Sequence, residues 1–302
     1  MNLDYLTKHP ELFPSVIGIT HTQFHSLLYR FSFALRSAEQ VRAFSKKRLR
    51  GPGGGRKPTL RTDVAKLFFI LFYYKVYPTF RLAQALFGLD KRNIFTWKAF
   101  LEPVLFAALR RQLVLPTRRV SSMHGLLDVC PGLAACIVDA TERPIHRPKN
   151  PTDQTHFYSG KKKRHTVKNQ IIIHPITKRI LAVSRTVEGK RHDKKLLEDD
   201  AVVSFVPPGG TVLGDSGYQG VGVTVPWARV VTPMKKSPGK DLSQSQKAAN
   251  RVLSSVRVRV EHTIAYLKHF AILSQVFRGS VRQAHQPFTT IACLYNYTRE
   301  VR

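Results

Sequence analysis

Acidic residues are scarce in this chain. Of its 302 residues only 19 are Asp or Glu, against 49 Lys or Arg, which leaves a formal charge of +30. A compact protein of that charge repels itself, and a polyanionic partner is the simplest explanation of the excess. Nucleic acid leads; an acidic membrane surface is the competing reading. Long apolar runs are missing as well. The longest, Leu67 to Tyr74, falls far short of the ~20 residues a spanning helix needs, so no membrane association is expected. Met1-Asn2-Leu3-Asp4 has no basic stretch leading into an apolar one, so no secretory signal is read. Cysteine is limited to Cys130, Cys136 and Cys293. An odd count without C-x-x-C spacing excludes a disulfide framework and a structural zinc site, and points to small buried hydrophobes in a reducing cytoplasm. What is present in ordinary amount, 43% hydrophobic and 10% aromatic residues, is enough to build one or two cored domains.

Residues 1–45 read as helical, with Phe24, Leu28, Phe31 and Leu35 on one face and Thr20 or Thr22 as N-cap. From Arg42 to Arg61 there are eight basic residues and no acid, around Gly51-Pro52-Gly53-Gly54-Gly55. That is a flexible basic arm, either a solvated tail or a phosphate-contacting one through residues such as Arg56 and Lys57. An apolar helix follows over 64–74, then a helix capped by Thr79 and running to Phe87, a turn at Gly88-Leu89-Asp90, and a helix from Lys91 to Phe100. Two helices about a short glycine turn fit a helix-turn-helix, whose second helix would present Lys91, Arg92 and Asn93 to a DNA major groove. The same pattern also fits plain core packing.

Beyond residue 131 the pattern becomes mixed. Short strands are expected at 133–138, 166–174, 180–187, 211–214 and 228–232, with a short helix over 193–200. The longest helix is expected over 243–273, where Ala249, Leu253, Val256, Val260, Ile264, Leu267 and Ala271 form an apolar stripe.

In so basic a chain each acid is informative. Asp139 and Asp215 each follow a buried strand, and Glu261 lies mid-helix beside the apolar stripe. A carboxylate drawn toward low dielectric must be ion-paired, protonated or metal-bound. Ion pairing is the plainer reading of each acid alone. Together the three can hold Mg²⁺, a hard cation satisfied by a few carboxylates and water, and two such ions serve phosphoryl transfer. Around the helix axis Arg257, Glu261 and Lys268 fall within ~40° of one another, although Arg257 and Glu261 could equally be an i, i+4 pair. Two further clusters flank the acids. One is the basic run Lys161, Lys162, Lys163 and Arg164, with Lys168 beyond; the other is Gly189-Lys190-Arg191-His192-Asp193. In the second, Asp193 could cap a helix, and it and His192 could support a metal site from behind.

Five segments occur in a familiar order: Ile137-Val138-Asp139-Ala140-Thr141-Glu142-Arg143-Pro144-Ile145; Tyr158-Ser159-Gly160-Lys161-Lys162-Lys163; Gly189 to Asp193; Gly214-Asp215-Ser216-Gly217-Tyr218-Gln219-Gly220; and Arg257 to Phe270. Together they resemble the DDE-type transposases of bacterial insertion sequences, in the group related to Harbinger-type transposases. The resemblance implies an α/β fold, a ribonuclease-H-like mixed sheet with flanking helices over 131–302. An all-α region precedes it, with a helical segment and basic arm over 1–50 and a helix-turn-helix over 51–120. It implies Asp139, Asp215 and Glu261 as catalytic, metal-binding residues holding two Mg²⁺, with Mn²⁺ able to substitute. Arg257, three residues, Glu261, six residues and Lys268 match the family's helix signature, with Ser254 where a tyrosine is common. The implied activity is cleavage at the terminal inverted repeats of an insertion sequence and transfer of the 3′-hydroxyl ends into target DNA. Double-stranded DNA is the implied partner, with a homodimer or larger assembly acting on it at the nucleoid. The alternatives are a non-enzymatic DNA-binding regulator and a nuclease of the same fold that cuts without joining.

Overall fold

A computed structural model of the chain describes residues 3–44, 58–109, 134–199, 208–237, 239 and 241–301. Cys130, Arg56, Lys57 and the glycine stretch 51–55 lie outside the described residues. Two compact units are present. The first comprises residues 1–112, 268–274 and 289–302; the second comprises 113–267 and 275–288. Among the described residues no helix is long and apolar enough to cross a membrane.

The first unit is all helical in its described part: α1 (Leu3–Lys8), α2 (Phe13–Ile17), α3 (His21–Phe44), α4 (Asp63–Val76), α5 (Phe80–Phe87) and α6 (Lys91–Leu109). Thr20 opens α3 through a reciprocal capping box: its Oγ1 accepts from Gln23 N–H while Gln23 Oε1 accepts from Thr20 N–H. The buried face of α3 is Phe24, Leu27, Phe31 and Leu35, so Leu27 takes the place expected of Leu28. The helix runs through Arg42, which shortens the basic arm accordingly. α4 is buried on every side from Lys66 to Tyr74 because α2, α3 and α6 all pack against it; this central position accounts for the unbroken apolar run. Thr79 caps α5, accepting from Leu82 N–H at 3.2 Å, as its sequence position requires. Gly88 ends that helix in the left-handed region at φ 61, and Asp90 Oδ1 accepts from Arg92 N–H to start α6. α6 continues past Phe100 to Leu109 despite Pro103, held by the buried side chains of Leu101, Val104, Leu105 and Leu109.

The second unit is built on a mixed sheet: β1 (Ala135–Pro144), β2 (Tyr158–Ser159), β3 (Arg164–Ile173), β4 (Ile180–Val183), β5 (Val187–Glu188), β6 (Thr211–Leu213) and β7 (Arg229–Val231). The path β4-β3-β1-β6-β7 is antiparallel through its first three strands and parallel through the rest. That order, with α7 (Pro151–Phe157), α8 (Asp193–Asp199) and α9 (Gln244–Lys268) around it, is consistent with a ribonuclease-H-like core. The short α10 (Ala271–Ser274) belongs to the first unit, as does the final α11 (His285–Glu300) from Thr289 onward. α9 buries Leu253, Val260, Thr263 and Leu267 and stops at Lys268, so Ala271 starts a separate helix rather than continuing the stripe.

Three strand boundaries differ from the sequence reading. β1 does not stop at Asp139: its pairing with β3 continues from Asp139↔Ile171 to Pro144↔Thr166, because an antiparallel partner supplies hydrogen bonds regardless of the apolar run. The third expected strand breaks after Val183. There Ser184 Oγ accepts from Gln170 N–H and Asn169 Nδ2 donates to Ser184 O and Thr186 Oγ1, so side chains replace the ladder. Finally, Gly160 to Lys163 is a hairpin turn between β2 and β3, with Lys163 in the left-handed region at φ 53.

Candidate active site

The parallel ladder between β1 and β6 ends at Ile137↔Leu213. Asp139 and Asp215 each come two residues later. Side chains alternate with period two along a strand, so the paired strands deliver their acids at matching positions. The two carboxylates interact electrostatically, and both are partly buried. Asp193, the first residue of α8, acts on the same carboxyl.

Each of these three aspartates has one oxygen committed. Asp139 Oδ1 accepts from Ala140 N–H at 2.8 Å. Asp215 Oδ1 accepts from Gly217 N–H at 2.7 Å, which caps a short 3₁₀ turn. Asp193 Oδ1 accepts from Lys168 Nζ at 2.7 Å. The second oxygen of each makes no hydrogen bond within the described residues. Gly217 stands between two of them: a Cβ there would lie 2.9 Å from Asp215 Oδ1 and 3.4 Å from Asp193 Oδ2. Burial above all pushes the Asp139 carboxyl up to about 6. The Ala140 N–H opposes the rise, Asp215 and Asp193 add to it, and the Arg257 guanidinium opposes it. Beneath the acids Tyr218 is fully buried, and its hydroxyl accepts from Gln170 Nε2 at 2.7 Å. Burial pushes Tyr218 well above the ordinary tyrosine range, with Asp193, Asp139 and Asp215 adding to the rise.

Glu261 is placed differently. It is exposed on α9, and its nearest cation is Arg257 Nη2 at 3.8 Å. Arg257 thus stands beside Glu261 and also acts electrostatically on Asp139, and its buried Nε has no hydrogen-bond partner among the described residues. No three His, Cys, Asp or Glu side chains among the described residues stand close enough to hold an ion jointly as they are. The donor chemistry nevertheless fits a hard divalent cation: the uncommitted atoms are carboxylate oxygens, and Asp215 and Asp193 raise the proton affinity of Asp139.

Lys268 is the half-buried last residue of α9, and Ser254 is exposed on the same helix. Lys161, Lys162, Lys163 and Arg164 are all exposed at the β2–β3 hairpin, as are Lys91, Arg92 and Asn93 in the first turn of α6. His192 is exposed, and its carbonyl accepts from Leu196 N–H at the start of α8. The carboxylate of Asp193 engages Lys168 as its hydrogen-bond donor. Sequence reasoning gave Gly189, Gly217, Gln170 and Tyr218 no individual role, and counted Lys168 with the basic run, whereas it is buried within β3. One signal was available: Thr166, Lys168 and Gln170 put polar groups at period two inside a buried strand, an arrangement that needs partners.

A sheet of this order, with one acid within β1 and another just past the end of its parallel neighbour β6, is consistent with the ribonuclease-H-like class of folds. Comparison with known proteins takes the assignment further. Residues 138–296 match the family model of the DDE superfamily endonucleases. A protein of Microchaete diplosiphon described as the transposase for insertion sequence element IS702 is 32% identical over 243 residues, covering 80% of this chain and 83% of its own. A protein of Streptomyces albus G described as the transposase for insertion sequence element IS112 is 29% identical over 137 residues, 45% of this chain and 48% of its own. The chain belongs to the DDE superfamily endonucleases, as a DDE-type transposase of the insertion-sequence kind.

Proposed function

We propose that this chain cleaves DNA at the terminal inverted repeats of an insertion sequence and joins the freed 3′-hydroxyl ends to target DNA. The observation that carries the reading is the half-committed carboxylate pair, Asp139 and Asp215, each two residues past the last pair of the parallel β1–β6 ladder, in a chain of charge +30. Asp139, Asp215 and Glu261 would hold two Mg²⁺ ions, with Mn²⁺ as substitute. Such ions, when bound, would activate the attacking oxygen and neutralise the leaving one.

The chain's own residues do the rest. The Ala140 and Gly217 N–H groups fix one oxygen of each aspartate, so the other is oriented in advance. Arg257, with its unpartnered buried Nε, contacts the phosphate beside the scissile bond, and Lys268 contacts the neighbouring backbone. Lys161, Lys162, Lys163 and Arg164 at the hairpin hold the flanking duplex by charge. The α5–α6 pair serves as the helix-turn-helix, with Lys91, Arg92 and Asn93 entering the major groove, and Arg56 and Lys57 following the backbone. His192 and Asp193 support the acids. A homodimer or larger assembly pairs two ends at the nucleoid.

The test is substitution of Asp139, Asp215 or Glu261 by Ala. Each variant should lose Mg²⁺-dependent nicking while still binding the ends of its element. Unchanged nicking in any of the three removes that residue from the mechanism. An unaltered chain that binds DNA but nicks with neither Mg²⁺ nor Mn²⁺ is a regulator instead, and one that cuts without joining a pre-cut end is a nuclease.

A further inference from the structure

We propose that Lys168 is a positioning residue for this reaction and acts through Asp193, an inference that rests on the functional reading above. Lys168 sits on β3 opposite Glu142 and is only 7% exposed. A buried ammonium is costly unless its donors are spent on fixed acceptors. Its Nζ donates to Arg191 O at 2.6 Å and to Asp193 Oδ1 at 2.7 Å, with Glu142 Oε1 at 4.0 Å. It therefore clamps the turn into α8 by main chain and side chain together.

The clamp has a direction. Asp193 gives Oδ1 to Lys168, so Oδ2 is left on the side of Gly217 and Asp215 Oδ1. Without Lys168 the carboxylate has no donor to choose between its rotamers. Other contacts preserve the geometry behind it. Gly189 N–H donates to Thr166 O at 2.9 Å, and its lack of a side chain leaves room for Thr166 Oγ1, which donates to Glu142 Oε2 at 2.6 Å. Gln170 Nε2 reaches both Asp193 O and the Tyr218 hydroxyl. Thr166, Lys168 and Gln170, alternate residues of one strand, thus form a buried polar row whose middle member faces the site only through Asp193. Asp193 Oδ2 is then an acceptor held ready for a water at the reacting phosphate, because Mg²⁺ in such sites keeps several waters.

The experiment uses the full chain, plasmid DNA and Mn²⁺. Lys168→Met should lower kcat for nicking by about 10–100-fold, the usual cost of removing a group that orients a metal-site residue, with KM for DNA unchanged. Asp193→Asn should lose about as much, and the double variant no more than either single one, since coupled residues are non-additive. Lys168→Arg should restore part of the rate. Mn²⁺ titrated into the DNA-free protein and followed by electron paramagnetic resonance should bind Lys168→Met no more weakly than the unaltered chain, which damage to the fold would not allow. Full activity in Lys168→Met, losses that add in the double variant, or Mn²⁺ binding lost along with turnover would each overturn the proposal. If Lys168→Met does not fold, the near-isosteric Asp193→Asn decides: undiminished kcat there is fatal. An unaltered chain that fails to nick at all overturns the functional reading, and this inference with it.

Discussion

Replacing Asp139 by Asn should make the protein more stable as it makes it inactive. Burial and two neighbouring acids lift this carboxyl from 3.8 to about 6. The folded state therefore binds the proton more tightly than the unfolded chain. The sign follows: below about pH 4 both states are protonated and the site costs nothing. Between about pH 4 and 6 the unfolded chain ionises first, and stability falls with rising pH. Each tenfold difference in proton affinity is worth about 1.4 kcal/mol, so above pH 6 the ionised carboxylate costs up to about 3 kcal/mol. Asn is neutral, and its Oδ1 can still accept from Ala140 N–H. In Asp139→Asn that cost disappears. For a unit of about 170 residues the melting temperature should rise by roughly 6–12 °C at pH 8, with the difference closing by about pH 4. Thermal melts of both proteins across that range, in EDTA, provide the check. Added Mn²⁺ should stabilise the unaltered chain and leave Asp139→Asn unmoved. Equal melting temperatures at pH 8, or a lower one for the variant, would refute an acid site under electrostatic strain.

Three further predictions come from the same geometry. Gly217→Ala brings a Cβ to 2.9 Å from Asp215 Oδ1; nicking should fall by at least about tenfold while circular dichroism stays unchanged. Replacing Lys161, Lys162 and Lys163 together by Ala should weaken binding to all DNA sequences alike and flatten the plot of log affinity against log salt by up to about 3, read by filter binding at several salt concentrations. Thr79→Ala removes the cap that accepts from Leu82 N–H and should cost the helical unit about 1 kcal/mol, measured by urea denaturation.

The positions of most strands and of the long helix were legible because apolar periodicity survives in both, and Thr79 was legible because a cap is a local feature. The first strand's true length was not. Its second half, Ala140 to Pro144, is polar, and it is a strand because β3 runs alongside it, a fact about residues more than twenty positions away. The hairpin at Gly160 was hidden by its lysines, which look the same in a loop or a turn. Asp139 and Asp215 could be chosen from sequence because so few acids compete with them. The roles of Lys168 and Gln170 could not, since a lysine inside a strand declares nothing until the turn at Arg191 is seen to fold over it. Glu261 illustrates the opposite limit: its helix position was readable, but its partner in the structure is Arg257, the local pairing that spacing alone left open.

Two of the three anchors beneath the aspartates, at Ala140 and Gly217, are peptide N–H groups. No side-chain replacement short of proline can delete them. The third anchor is an ammonium encoded by a single codon. Drift along a lineage can thus loosen one acid while the other two keep their orientation, and position 168 is where such tuning of an otherwise rigid centre would first leave its mark.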